Sequence, residues 1–473
     1  MTRDHADRPL PVSLPDMPQK RILLLSYHFG ADGAVGGFRW RAMAEHLVQL
    51  GWRTDVIAAP SETLVVGSER YPTALGDLVE VATPAWGLYL ARLIAWFRSR
   101  RHVSQSPEPE VAVKVTPVDP DAVVLWTPPT SRSRLNRALL LVQGVATLIA
   151  EWSWARAAAR AAVKQYRVAR PSVLVVCTPP HLSSLAAVRL ARRLGVPSVV
   201  DFRDPWVIGL EESMRFNDDD LQRAVWRRSE LSVLREATVI VHNTERALWG
   251  ITDALGDRRR AHHVAVPNGY EEGYRAAQPD SKVFRISFTG WLHPVMDVRV
   301  LLSAFGRLRA RHGLTPDEFE ICFMGTAPEF GGVPLRGLAA AYGLADVFSL
   351  RPRGSRPDAL RMQESSAVLC AIDYRHPMAV PMKFYDYAQM CGTMLLIGQR
   401  PSALADAAAR LGLQVFVMDE TDRVDAFLDR ALENWRIGAM DRPMDTERLF
   451  SRARQAERMD EVLRAALSER PDD

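Results

Sequence analysis

Short unbroken apolar runs recur along the chain, each followed by a glycine-bearing loop and a stretch of helical periodicity. The first is RILLLSY (residues 21–27), continuous as expected of a parallel strand buried on both faces. The loop HFGADGAVGG follows, then FRWRAMAEHLVQLGW with helical spacing that stops at Gly51, then the strand TDVIAA. Strand, glycine loop, helix and strand in that order make the first unit of a doubly wound α/β domain. The alternation resumes with SVLVVCT, HLSSLAAVRLARRLG, PSVVDFRD and ATVIVHN. Pro267-Asn268-Gly269 is a turn cluster and EEGYRAAQPDSK reads as a linker. A second alternating set then runs from FRISFTG through DVRVLLSAFGRLRARHG, FEICFMG, VPLRGLAAAYGL, VFSLRP, AVLCAID and VPMKFYDYAQMCGTMLLIG to LQVFVMD.

This pattern predicts two Rossmann-like domains with parallel sheets, facing one another across a cleft. The expected boundaries are a disordered lead-in over 1–20, a first domain over 21–275, a second over 282–435, and a C-terminal helix and tail over 436–473. Residues 84–170 interrupt the first domain with long helical stretches rich in tryptophan and arginine. Their most apolar part, residues 138–150, is shorter than the roughly 18–20 residues that cross a bilayer. Two readings stay open there: an amphipathic surface resting in a membrane interface, or a pair of helices packed on the core.

Composition narrows the class. The 473 residues exceed one ordinary core, and 47% hydrophobic with 25% charged residues suits a soluble globular chain. A net charge of +4 is too small to argue for nucleic acid, but suits anionic ligands or an anionic membrane surface. The four cysteines have no short pair spacing, so they read as buried reduced thiols rather than a zinc or redox site. The first twenty residues are polar and proline-rich, unlike a secretion signal, so a cytoplasmic location is expected.

The candidate chemistry lies at predicted strand ends, where open α/β sheets place their ligands. Glycines at 30–37, including Gly36 and Gly37, lead into a helix carrying Arg39 and Arg41, a phosphate-loop arrangement or a plain tight turn. The spacing does not fit a dinucleotide fingerprint. VVDFRDPW places Asp201, Arg203 and Asp204 beyond a buried strand, with His181 in the same layer. In the second half, Gly290 and Trp291, Gly325, and Arg351 with Arg353 follow successive strands. Only five of the 60 basic residues are lysines, and one of them, Lys383, begins a helix where the dipole disfavours a cation unless an anion neutralises it. Asp386 follows about one turn on, within reach of a ribose diol. A solvated lysine and a helix-capping aspartate are the plainer reading.

The blocks KRILLLSYHFGADGAVGGFRWRAMAEHL, TPPHLSSLAAVRLARRLGVPSVVDFRDPW, VPNGY, ISFTGWLHPVMDVRVLLSAF and VPMKFYDYA resemble, in order, those of family 4 glycosyltransferases. The likeness is to the bacterial subgroup with D-x-R-D-P-W and V-P-x-K-x-(F/Y)-E-Y motifs, and covers roughly residues 20–60 and 170–430. The resemblance implies the GT-B fold and a retaining, metal-independent transfer without cofactor. It also implies a nucleotide-sugar donor in the second domain and a glycan or lipid-linked saccharide acceptor in the first, in cell-surface polysaccharide synthesis. Taken with the readings above, it makes Arg203, Asp204 and Lys383 the expected catalytic residues. Gly290, Trp291, Gly325, Arg351, Arg353, Lys383 and Asp386 fall to the donor, and Gly36, Gly37, Arg39 and His181 to the acceptor and phosphate loop. Three departures stand out. Of the family's paired glutamates, the first falls on Met378 and the second on Asp386. The basic pair that grips the diphosphate falls on Trp291 and Met296. The histidine–aspartate pair falls on Arg203-Asp204. A non-catalytic GT-B partner, or a sugar-nucleotide epimerase or hydrolase, are the competing classes.

Overall fold

The computed structural model describes residues 20–29, 35–60, 75–84, 117–123, 134–168, 170–208, 220–256, 261–271, 282–293, 296–373, 376–439 and 444–468. The expected lead-in, the loop 30–34 and much of the insert lie outside them. Within them the chain forms two wholly parallel sheets of seven and six strands, the GT-B arrangement expected from the sequence.

The first sheet comprises β1 (Lys20–Ser26), β2 (Trp52–Ala58), β3 (Leu78–Glu80), β4 (Val173–Thr178), β5 (Ser198–Phe202), β6 (Val239–His242) and β7 (His262–Ala265). Their spatial order is β3-β2-β1-β4-β5-β6-β7. Strand order reverses at β1, which pairs with β2 through Leu24 opposite Val56 and with β4 through Leu24 opposite Val175. Such a reversal opens a ligand crevice at the carboxyl ends of the two strands. The helices are α1 (Val35–Gln49), α2 (Arg134–Val168), α3 (Leu182–Leu194), α4 (Asp220–Glu236) and α5 (Glu245–Leu255). Gly36 and Gly37 belong to the first turn of α1, so the helix begins inside the glycine stretch that the sequence had read as loop.

The second sheet is built from β8 (Phe284–Thr289) and β9 (Phe319–Met324), a small hairpin of β10 (Glu329–Phe330) and β11 (Val333–Pro334) standing apart. It continues with β12 (Phe348–Arg351), β13 (Val368–Asp373), β14 (Thr393–Gly398) and β15 (Val415–Phe416). The order is β12-β9-β8-β13-β14-β15, reversing at β8. Helices α6 (Arg299–His312), α7 (Leu335–Ala341), α8 (Arg356–Glu364), α9 (Met382–Ala388), α10 (Ala403–Arg410) and α11 (Thr421–Arg436) surround it, and α12 (Arg452–Ser468) closes the chain. The α12 helix returns to the first domain, burying Met459 and Leu463 in one apolar cluster with Trp40 and Met43 of α1. Its Asp460 accepts from Trp52 Nε1 at 2.6 Å.

The insert divides its loyalties. Residues 117–123 pack on the second domain: Val123 joins the core of β8 and α6, and the Val118 amide donates to the Gly337 carbonyl. The first of the two expected helical stretches lies outside the described residues, and the second forms α2, one continuous 35-residue element. Its second half is pinned to the first domain by buried Trp154, Ala158 and Ala162.

Candidate functional site

The carboxyl ends of the two sheets face each other. The Thr244 hydroxyl, which caps α5 by accepting from the Ala247 amide, donates across to the Met378 carbonyl at 2.5 Å. Arg246 on α5 donates to Asp406 on α10 at 2.9 Å. Arg356 on α8 lies 5.4 Å from the ring of Phe38 on α1.

On the second-domain wall, β8 and β9 end in Gly290 (φ +89°) and Gly325 (φ +83°). Both need the left-handed region, and the two are packed so closely that a Cβ on Gly325 would lie 3.5 Å from the Gly290 Cα. Beside them stands Lys383, in the first turn of α9. Its Nζ sits 3.5 Å from the centre of the Phe288 ring, a cation–π contact. A side chain at Gly290 would come within 3.9 Å of that nitrogen. Burial pulls the amine down to about 7, while the Asp373 carboxylate at the end of β13 pushes it back up. Part of the residue still reaches the surface, so the amine lies desolvated under a thin cover. The contacts of Lys383 among the described residues include no hydrogen bond.

Beneath this wall lies a polar layer. Tyr387 Oη lies 3.0 Å from the Thr289 hydroxyl and donates to the Cys370 carbonyl at 3.2 Å. Gln363 Nε2 donates to the same threonine hydroxyl. These bonds tie the end of β8 to the middle of β13, beside the lysine's contact with Phe288.

Other expected donor residues are arranged differently. Asp386 is buried and accepts a two-pronged pair from Arg356, Nη2 to Oδ1 at 2.8 Å and Nη1 to Oδ2 at 3.2 Å. Arg351 reaches back along the sheet to Glu320 at 3.5 Å, away from the glycine turns. Arg353 is exposed in the loop before α8. Trp291 is 58% exposed, with its ring edge-on to His293, and Met296 is buried in the core. Neither supplies a positive charge. Met378 packs its side chain against Gly250 of α5.

On the first-domain wall, Arg39 is wholly occupied. Its Nε and Nη2 donate to Asp201, Nη1 to the Pro267 carbonyl and Asn268, and Nη2 also to the Val266 carbonyl. Those bonds use all five guanidinium hydrogens, leaving none for a phosphate. Asp201 also accepts from Trp40 Nε1 at 2.7 Å. The pair therefore ties α1 to β5 and to the crossover strap at 266–268. Arg203 and Asp204 pair with each other at 3.0 Å at the mouth, the aspartate half exposed. His28, at the end of β1, is held below its ordinary pKa by burial and by the nearby Arg203.

His181 does not stand free. It is stacked on Trp206 at 4.9 Å and meets Trp226 edge-on at 5.5 Å. Burial brings it down to about 3, so it is neutral at pH 7. Two carboxyl groups flank this nest. Glu151 of α2 accepts from the Leu182 amide and Trp226 Nε1, and burial raises it to about 7. Glu230 of α4 accepts from the Val207 and Ile208 amides at 2.9 and 2.8 Å, and burial raises it to about 8 against those bonds. Among the described residues, no group of three or more His, Cys, Asp or Glu gathers as a metal site.

Neither Glu151 nor Glu230 carries a sequence signal, since each is one acid within a helix. Arg356 does carry one: Ser355-x-x-Asp358 is a capping box, which places Arg356 at the start of a helix facing the cleft.

No family model and no curated protein matches this chain. Solved structures match it in fold. The Anabaena protein HepE in complex with UDP-glucose shares 11% identity with a TM-score of 0.56, over 94% of this chain and 99% of that one. A glycosyltransferase from Rickettsia africae shares 12% identity, TM-score 0.56, over 96% and 100%. A UDP-forming α,α-trehalose-phosphate synthase from Burkholderia xenovorans shares 14%, TM-score 0.56, over 96% and 100%. At such identities the likeness is one of fold, and the fold is that of GT-B glycosyltransferases.

Proposed function

We propose that the protein is a retaining glycosyltransferase that moves a sugar from a nucleoside-diphosphate donor to a glycan or lipid-linked saccharide in cell-surface polysaccharide synthesis. The observation that carries the reading is the amine of Lys383, desolvated between the glycine turn at Gly290 and the Asp373 carboxylate in a GT-B cleft. A diphosphate beside that amine would keep it protonated, and the charge would stabilise the leaving group as the sugar–oxygen bond breaks. The acceptor hydroxyl attacks from the same face, forms the glycosidic bond and passes its proton to the departing diphosphate. The reaction needs no metal in this scheme, and Arg203 with Asp204 would orient the acceptor from the opposite wall.

The protein is incubated with a panel of nucleotide sugars, with and without lipid extract as acceptor, and released nucleoside diphosphate is measured. Acceptor-dependent release is expected, and Lys383→Ala should lower it by about 100-fold, the scale of one electrostatic donor. No binding to any nucleotide sugar would overturn the proposal. One arrangement favours a second reading, a non-catalytic GT-B partner: Met378 occupies a glutamate position and Arg356 holds Asp386. Donor binding without turnover under every acceptor would support it.

A further inference from the structure

Helices α2, α3 and α4 run side by side and in parallel over one face of the first sheet. Glu151 of α2 meets the start of α3 at Leu182, and further along Tyr166 Oη meets its end at the Leu194 carbonyl. Trp226 of α4 meets the same Glu151, and Glu236 pairs with Arg192 near the far end. The outward surface of this layer is basic. The α2 helix exposes Arg156, Arg160, Lys164 and Arg167 at the i, i+4, i+8, i+11 spacing of a single stripe. Exposed Arg189, Arg192 and Arg193 share one side of α3, and α4 exposes Arg227, Arg228 and Arg235. From Trp152 onward, the carboxylates these helices show to solvent are Asp220 and Glu236, because Glu230 is fully buried. Ten basic groups thus face two acidic ones on one surface, in a chain whose net charge is only +4.

The same layer has an apolar end. The α2 helix extends past the start of α3 by its first 17 residues, about 25 Å at the α-helical rise. The start of α3 lies at the carboxyl end of β4, so this extension projects on the cleft side. Leu139, Leu141 and Val142 are 46%, 43% and 48% exposed there. By length and composition alone, Arg137–Arg167 would pass as a membrane span. Burial of Trp154, Ala158 and Ala162 in the first domain's core holds its second half to the protein instead, Trp154 edge-on to Tyr27 and donating to the Val81 carbonyl.

We propose that this three-helix face docks on an anionic lipid bilayer, with its arginine stripes on the headgroups and the projecting end of α2 embedded in the interface. Charge complementarity argues for the headgroups, and the three exposed aliphatic side chains beside the stripes argue for a bilayer over a soluble polyanion. The surface lies outside the donor wall, so the inference stands or falls independently of the transferase reading. The full chain is sedimented with vesicles of phosphatidylcholine alone, and with about 30% phosphatidylglycerol added, at about 0.15 M salt. Binding is expected to the anionic vesicles, and to weaken as salt rises. Each basic side chain near such a surface contributes about fivefold in affinity. The quadruple variant Arg160→Ser, Lys164→Ser, Arg189→Ser, Arg193→Ser should therefore bind at least about 100-fold more weakly. A second variant, Leu139→Ser, Leu141→Ser, Val142→Ser, touches no buried contact and should weaken binding while leaving its salt dependence. Equal binding to both vesicle types, no binding to the anionic ones, or full binding by the quadruple variant would overturn the proposal. So would a duplex oligonucleotide that binds as tightly as the vesicles and loses affinity with the same four substitutions.

Discussion

Lys383 carries the reading of the cleft, and its environment makes the reading testable by pH. An amine at about 7 is half protonated at neutral pH, and an incoming diphosphate must draw in a proton to hold it charged. Affinity for a nucleoside diphosphate should therefore be flat below pH 6 and fall about tenfold per pH unit above about 7, as the free protein loses the proton that the complex retains. Calorimetry in buffers of different ionisation enthalpy should record proton uptake near pH 8. A flat affinity between pH 6 and 9 would remove Lys383 from the donor site. Asp386 gives the second residue-level test. Its carboxylate is neutralised by Arg356, so Arg356→Ala leaves a buried anion and should weaken both donor binding and stability. Lysine at position 356 should restore part of the stability, because it returns the charge without the two-pronged geometry.

At the scale of elements, Arg39 and Glu230 show what was legible in the sequence and what was not. The strands were legible because both sheets are wholly parallel and buried, so β1, β4, β8 and β13 are unbroken apolar words. The ends of those strands were equally legible, and the glycine turns at Gly290 and Gly325 lie where the pattern put them. Side-chain partners were not legible. Arg39 follows a glycine stretch and reads as a phosphate ligand, yet its five hydrogens join α1 to β5 and to a strap more than two hundred residues away. No local pattern encodes an interaction between positions 39, 201 and 266. Arg39→Met should cost about 3–5 kcal/mol in urea unfolding, because Asp201 is left as a buried unpaired charge. Glu230 is the converse case, a buried acid that folding keeps protonated. Its folded pKa of about 8 lies above the ordinary carboxyl value, so its contribution is present below the unfolded pKa and is lost as pH rises through 8. Glu230→Gln should therefore gain on the native protein between about pH 5 and pH 8, measured as a difference in unfolding midpoint that widens over that range and levels off above it. A constant difference would mean that Glu230 is ionised throughout.

The whole molecule is two sheets with their carboxyl ends facing, held together by contacts from both ends of the chain. The α12 helix leaves the second domain and buries Met459 and Leu463 against α1, so the first domain's core is completed by the last residues described. Across the cleft, the grip is smaller and more polar: the Thr244 hydroxyl on the Met378 carbonyl, and Arg246 on Asp406. Met378 is thus part of this contact, with its side chain seated on Gly250. Such contacts are small enough to break and re-form, as GT-B closure over a donor requires. Arg246→Glu sets two carboxylates against each other at this joint. The arginine and its partner are partly exposed, so the change should shift overall stability by no more than about 1 kcal/mol. Its main effect should be on the relation between the domains. Small-angle scattering should show a larger radius of gyration, and donor affinity should fall because the Lys383 wall and the Arg203 wall no longer meet across one molecule. The reverse pair, Arg246→Glu with Asp406→Arg, should restore both. If scattering and affinity stay unchanged in the single variant, the joint at α5 does not govern closure, and the other contacts between the domains, such as Arg356 against Phe38, set the distance between the two walls.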